Sequence, residues 1–176
     1  MRKQPLSKLE VIVTLLLLSA SSLKAQLNVY YVNVGQGDAT YIELPNGHNV
    51  LIDGGPSAAP IEKFLKEKGV TRIDHVVLTH PHSDHYNGLP YVFSNFTVGN
   101  FYDTRVDNTG ATGDNTLREQ VKALGVNTVY PAAGDRLDWS VPGLDIKVFN
   151  ACSEVAAASG NRTSFCIRSN ASTVNF

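Results

Sequence analysis

Three of the chain's five histidines and one aspartate fall within six residues, His80-Pro81-His82-Ser83-Asp84-His85. They come directly after the apolar run Val76-Val77-Leu78 and Thr79. That run is too brief for a helix and reads as a buried strand, so the cluster sits where a strand leaves the core. Imidazole nitrogens and carboxylate oxygens are zinc ligands, and catalytic sites leave one coordination position open. Donors two residues apart on extended chain can converge on one ion. Asp84 and His85, slightly further on, can face a second ion or the water between. Random placement of these residue types gives such a cluster roughly 2 times in 10,000, against the plainer reading of a polar loop with surface histidines.

The rest of the body alternates in a way that suits a layered α/β sandwich. Residues 27–34 and 39–44 are β-rich and separated by Gly35-Gln36-Gly37-Asp38, and Asn46-Gly47 marks a hairpin before a third strand over 49–53. A helix is expected from about Pro60, with Ile61, Phe64 and Leu65 on one face and Gly69 as its stop. Leu117, Val121 and Leu124 give a second helix that ends at Gly125. Later strands are expected over 126–130, 144–149 and 163–168.

Residues 1–25 have a different character. Arg2 and Lys3 precede the apolar stretch Val11 to Leu18, and small and polar residues lead to Ala25. This is the layout of a cleaved secretory signal peptide, and the apolar part is about half of what a membrane span requires. The expected organisation is therefore a signal peptide over 1–25 and one domain over 26–176, secreted or periplasmic, with no stable membrane anchor after cleavage. The whole chain carries 15 basic and 16 acidic side chains. Arg2, Lys3, Lys8, Lys24 and Glu10 lie in the leader, so the remainder holds 11 against 15, a net charge of −4. A body of that sign does not hold extended nucleic acid by bulk electrostatics. Export would also let Cys152 and Cys166 pair, although two buried thiols are the equal alternative.

Other candidates carry less. His48, in the hairpin turn, reads as solvated, and His75 reads as packed or hydrogen-bonded. Gly35-Gln36-Gly37 lacks the third glycine of a dinucleotide loop, since Thr40 stands there. Its glycines read as a tight bend that turns Asp38 inward. Ser83 lacks the Gly-x-Ser-x-Gly surroundings of a nucleophile. Tyr30, Tyr31, Tyr86, Tyr91, Phe93 and Phe96 could line a groove, but packing accounts for most of them.

The run His80-x-His82-x-Asp84-His85 resembles the HxHxDH signature of the metallo-β-lactamase superfamily. Val32-Asn33-Val34-Gly35-Gln36-Gly37-Asp38 and Leu51-Ile52-Asp53-Gly54-Gly55 are similar to the opening strands of its competence-related, ComEC-like branch. Gly134-Asp135 and Asn161-Arg162-Thr163-Ser164-Phe165 resemble later segments of that branch. Asn33 stands where the branch has Asp, and Tyr86-Asn87-Gly88 where it has an aliphatic residue and two glycines.

The resemblance implies an αββα sandwich with one or two zinc or similar divalent ions at the sheet edge. His80 and His82 would bind the first, and Asp84 and His85 the second. Asp53 would orient the ligand loop, with Asp38 in a similar supporting part. Hydrolysis follows as the reaction class, with Asp84 positioning a metal-activated hydroxide. Small molecules or phosphodiesters are the expected substrates. A scaffold that binds without turnover is the alternative; a redox protein would want Glu where His82 stands. In the superfamily a later Asp bridges the metals and further histidines often follow. No histidine lies beyond His85 and the last aspartate is Asp145, so the expectation is a partial domain with an incomplete second half.

Overall fold

The computed structural model describes residues 26–105, 112–150, 164–169 and 172–175. The leader, Cys152 and the Asn161–Thr163 part of the later motif lie outside them. Among the described residues no helix is long and apolar enough to cross a membrane.

The described residues form ten strands in two sheets. The first runs β1 (Asn28–Tyr31), β2 (Thr40–Glu43), β3 (Asn49–Ile52), β4 (Arg72–Val77), β5 (Thr97–Tyr102) and β6 (Asn127–Val129), in that spatial order. Its first three strands pair antiparallel, and β3 to β6 pair parallel. The second sheet is antiparallel, ordered β10 (Ser172–Asn175), β9 (Ser164–Ser169), β8 (Leu144–Asn150) and β7 (Arg136–Leu137). Four helices occupy the crossovers of the parallel half: α1 (Ala58–Glu67), α2 (Ser83–Tyr86), α3 (Leu89–Asn95) and α4 (Gly113–Ala123). Parallel neighbours need such crossovers, because no short turn can bring the chain back to start in the same direction.

Burial explains why these segments become strands. Val50, Leu51 and Ile52 are all buried, and so are Val76 and Val77, the unbroken apolar run of a sheet covered on both faces. Leu51 and Val76 point to the helix side, where Ile61, Leu65, Leu89, Phe93, Phe101 and Leu117 join them. Val50, Ile52 and Val77 point to the second sheet and meet Trp139, Ile146 and Val148. The helix–sheet–sheet layers of the expected sandwich are present, and no helix among the described residues covers the far face of the second sheet.

The boundaries differ from expectation in instructive places. β4 begins at Arg72, four residues before its apolar run. β5, α2 and α3 were not foreseen, and α4 starts at Gly113 rather than at Leu117. Tyr86 and Phe93 are core residues, whereas Tyr31 is 73% exposed on the edge strand. Cys166 lies in β9, paired in register with Lys147.

Candidate metal centre

Asp53 follows β3, Thr79 and His80 follow β4, and both strands deliver them to the same C-terminal edge of the parallel sheet. In open α/β sheets this edge is where ligand sites form. Asp53 is 2% exposed and adopts a left-handed backbone, φ 58°. Strain of that kind persists where the surroundings over-determine a residue. Here they do. The Thr79 amide donates to Asp53 Oδ1 at 2.8 Å, and the Thr79 hydroxyl donates to Oδ2 at 2.6 Å. His85 Nδ1 stands 2.7 Å from the same Oδ2.

Three donors on two oxygens are the pattern of an acceptor-only carboxylate, which fixes the protons around it. His85 must carry its proton on Nδ1. The single Thr79 hydroxyl proton is spent on Asp53, so that oxygen can only accept from His80 Nδ1, 3.1 Å away. Both rings are thereby assigned Nδ1–H, and each presents an Nε2 lone pair away from Asp53. Burial pushes His85 down, but the hydrogen bond and charge of Asp53, with Asp84 and Asp38 adding, hold the imidazole above its ordinary value. Burial raises Asp53 more than its donors lower it.

The histidine rings gather closely. The His80 centroid lies 3.8 Å from that of His85 and 4.7 Å from that of His82. Two carboxylates flank His85 Nε2, Asp38 Oδ2 at 3.7 Å and Asp84 Oδ2 at 3.9 Å. These separations exceed a hydrogen bond and approach the spacing of about 3.4 Å between neighbouring ligands on a tetrahedral ion. The donor set of imidazole nitrogens and carboxylate oxygens therefore fits zinc or a similar divalent ion. Asp53, His80 and His85 also present ligand atoms within 4.8 Å of one another. Since the Asp53 oxygens already hold three donors, we assign Asp53 to orientation rather than ligation.

Asp38 arrives from the opposite loop, and glycine makes that possible. The Asp38 amide bonds to the Asp84 carbonyl at 3.3 Å, while the Gly54 amide bonds to the His85 carbonyl at 2.6 Å. A Cβ on Gly37, where φ is 105°, would lie 2.0 Å from the Asp84 oxygen. Any side chain there would push the two loops apart. Asp38 is not turned inward as the bend suggested. Its side chain is 71% exposed, at the mouth of the site.

The sequence reading gave His80 and His82 to one ion and Asp84 and His85 to a second, with Asp53 and Asp38 in support. The structure groups Asp53, His80 and His85, sets Asp38 and Asp84 beside His85 Nε2, and leaves His82 exposed with its ring 4.7 Å from that of His80. The sequence reading did not assign a part to Thr79, whose only signal is its place before His80, nor to the buried ion pairs behind the loop. Arg118 holds Asp103 (Nε–Oδ2, 2.7 Å) and Asp114 (Nη1–Oδ2, 2.8 Å), both almost fully buried. This clamps α4 to the end of β5, and no local motif announces a pair 15 residues apart. His48 and His75 stay outside the cluster, as expected. His48 is half-buried rather than solvated.

A sequence model of the metallo-beta-lactamase superfamily matches residues 32–147, so the chain belongs to that superfamily, most of whose members are metal-dependent hydrolases. A search of curated protein sequences finds no match. Among solved structures the chain is similar to a metallo-beta-lactamase from Cronobacter sakazakii, with 16% identity, TM-score 0.57, and coverage of 84% of this chain and 60% of that one. It is also similar to Zn(2+)-bound PqqB from Methylobacterium extorquens, with 17% identity, TM-score 0.54, and coverage of 78% and 47%. A diphosphatase of the PhnP family is a third, with 18% identity, TM-score 0.51, and coverage of 74% and 47%. These likenesses concern the fold. The chain spans 60% or less of the length of each of the three.

Proposed function

We propose that this chain is a divalent-metal-dependent hydrolase of the superfamily, exported from the cell, acting on small phosphodiesters and related to the competence-linked, ComEC-like branch. The observation that carries the reading is the Asp53 hub, which sets two imidazoles in one tautomer, with the Nε2 of His85 toward Asp38 and Asp84. Such a hub is what a metal site needs to aim its imidazoles and raise their basicity.

In this reading His80 and His82 hold one ion and Asp84 with His85 a second, of the zinc class. An ion bound there supplies Lewis acidity toward water and toward an ester oxygen. The protein's own groups do the rest. Asp53, directly and through Thr79, keeps His85 and His80 from rotating and makes their Nε2 atoms more basic donors. Asp84, partly exposed at the first turn of α2, accepts the proton of an attacking water. Asp38 closes the opposite wall. The opening Val32-Asn33-Val34-Gly35-Gln36-Gly37-Asp38 supports the branch, and the Val11–Leu18 stretch before Ala25 supports export.

The test is turnover of an activated phosphodiester by purified protein loaded with zinc or manganese, compared with Asp84→Asn. Turnover that falls at least about 100-fold in the variant, with the ion of His80 and His82 retained, supports the reading. Stoichiometric metal with no turnover of any ester would move the chain to the binding scaffold.

A further inference from the structure

A phosphate ester brings negative charge to a site already walled by Asp38 and Asp84, in a body of net charge −4. The proposed ions would take the reacting oxygen, which leaves another phosphate oxygen for a cation of the protein itself. The loops that leave the C-terminal ends of β3 to β6 contain one basic residue in the whole sequence, Arg105. It follows β5, the strand between β4 with its histidine loop and β6.

Arg105 has three properties that a solvated surface arginine does not share. Its guanidinium carbon lies 4.1 Å from the centroid of the Tyr130 ring, on the loop after β6. Its backbone is left-handed, φ 62°, a conformation that favours glycine or asparagine and costs a long side chain of order 1 kcal/mol or more. That backbone is held in place, since the Arg105 amide donates to Asp103 Oδ1 at 3.3 Å, and Asp103 is clamped by Arg118. Among the described residues no carboxylate forms an ion pair with Arg105. A buried ion pair thus holds a strained backbone that offers one exposed, ring-stacked guanidinium at the rim.

We infer that Arg105, stacked on Tyr130, is the anchor for a phosphate oxyanion of the substrate and sets the site's preference for phosphate esters over neutral ones. A guanidinium presents parallel donors that match two phosphate oxygens, and the Tyr130 ring supports it at 4.1 Å. Arg105 is a specificity residue and acts on substrate binding. The inference deepens the proposed hydrolase reading and rests on it for the identity of the neighbouring metal loop.

The experiment uses the whole metal-loaded protein and compares wild type with Arg105→Gly, Arg105→Lys and Lys63→Ala. Glycine suits the left-handed backbone, so the first variant keeps the fold. Phenyl phosphate is titrated calorimetrically, and KM and kcat are measured on bis(4-nitrophenyl) phosphate and on 4-nitrophenyl acetate. The expected result is about a tenfold or greater loss of phenyl phosphate affinity in Arg105→Gly. Phosphodiester KM should rise similarly, with kcat changed less than about twofold and the acetate unaffected. Arg105→Lys should recover part of the loss, because charge remains and the fork does not. Lys63→Ala, which removes a cation elsewhere, should match wild type. Unchanged phenyl phosphate affinity in Arg105→Gly, or an equal loss on the acetate, overturns the inference. A wild type that binds phenyl phosphate through Arg105 but hydrolyses neither ester keeps the inference and removes the hydrolase reading.

Discussion

The molecule buries two groups of histidines and treats them in opposite ways. At the sheet edge, His80 and His85 are each given a proton acceptor on Nδ1, directly or through Thr79, by the Asp53 hub. Between the sheets, His75 is stacked 5.2 Å over Trp139 and packed against Tyr102, with His48 6.2 Å away. His48 Nδ1 and His75 Nε2 are buried and find no hydrogen-bond partner among the described residues. His85 is held above its ordinary pKa, whereas burial, with the nearby Asp74 opposing and His48 adding, drives His75 down to about 4. Both residues are almost fully buried. Their partners, not their burial, set them apart.

That contrast is most directly broken at the metal. His80→Ala with His82→Ala should abolish divalent-metal uptake, while His75→Phe should leave it whole. Elemental analysis of dialysed protein checks this, and wild-type stoichiometry in the double variant would end the assignment.

The next effect is on stability against pH. The unfolded chain takes up a proton on residue 75 near pH 6.5, the folded chain only near 4. Between those values the unfolded state binds more protons, so stability falls as the pH drops through that window and is flat on either side. The shift corresponds to about 3 kcal/mol. Urea midpoints at pH 7 and pH 5 should diverge in wild type and converge in His75→Phe. A variant with an undiminished acid slope would show that other groups carry it.

Asp53→Asn sharpens the comparison, because it makes the site histidines resemble His75. The amide keeps the volume and loses the charge that fixes Nδ1–H. Metal affinity measured by competition with a chelator should fall about 10–100-fold. An unchanged affinity would return Asp53 to a purely structural part.

The smallest effect lies in the aromatic cluster. Trp139 Nε1 donates to the Tyr102 hydroxyl at 3.1 Å in a buried place. Tyr102→Phe leaves that donor without its acceptor and should cost about 1 kcal/mol in urea unfolding, with metal binding untouched.

The site was more legible in the sequence than the fold around it. Donor residues announce themselves by type and spacing, and the strand leading to His80 by its apolar run. Asp53 is singled out only by the resemblance of Leu51-Ile52-Asp53-Gly54-Gly55 to the superfamily's opening strands. The missed pieces lack a period to read. β5 carries Gly99 and Asn100 in its middle, and a Cβ on Gly99 would stand 2.7 Å from the Asp74 oxygen. Glycine is thus required by the neighbouring strand where propensity argues against a strand at all. α2 spans four residues and α3 seven, with Pro90 in its first turn, too short for helical periodicity to show. Arg118, Asp103 and Asp114 find each other only through tertiary packing.

The stitching of the loops also has a consequence for chain entropy. The hydrogen bond from the Asp38 amide to the Asp84 carbonyl joins residues more than 40 positions apart, and so does the approach of Asp38 to His85. Whatever binds across that seam acts as a clasp on a long loop. The closure cost grows only slowly with length, about 0.6 kcal/mol for each doubling. An ion held at the seam would stabilise the native chain in proportion to RT ln(1 + [ion]/Kd), with no change in the folded contacts. The thermal midpoint of this protein would then depend on the free concentration of that ion, and the seam would serve as its gauge.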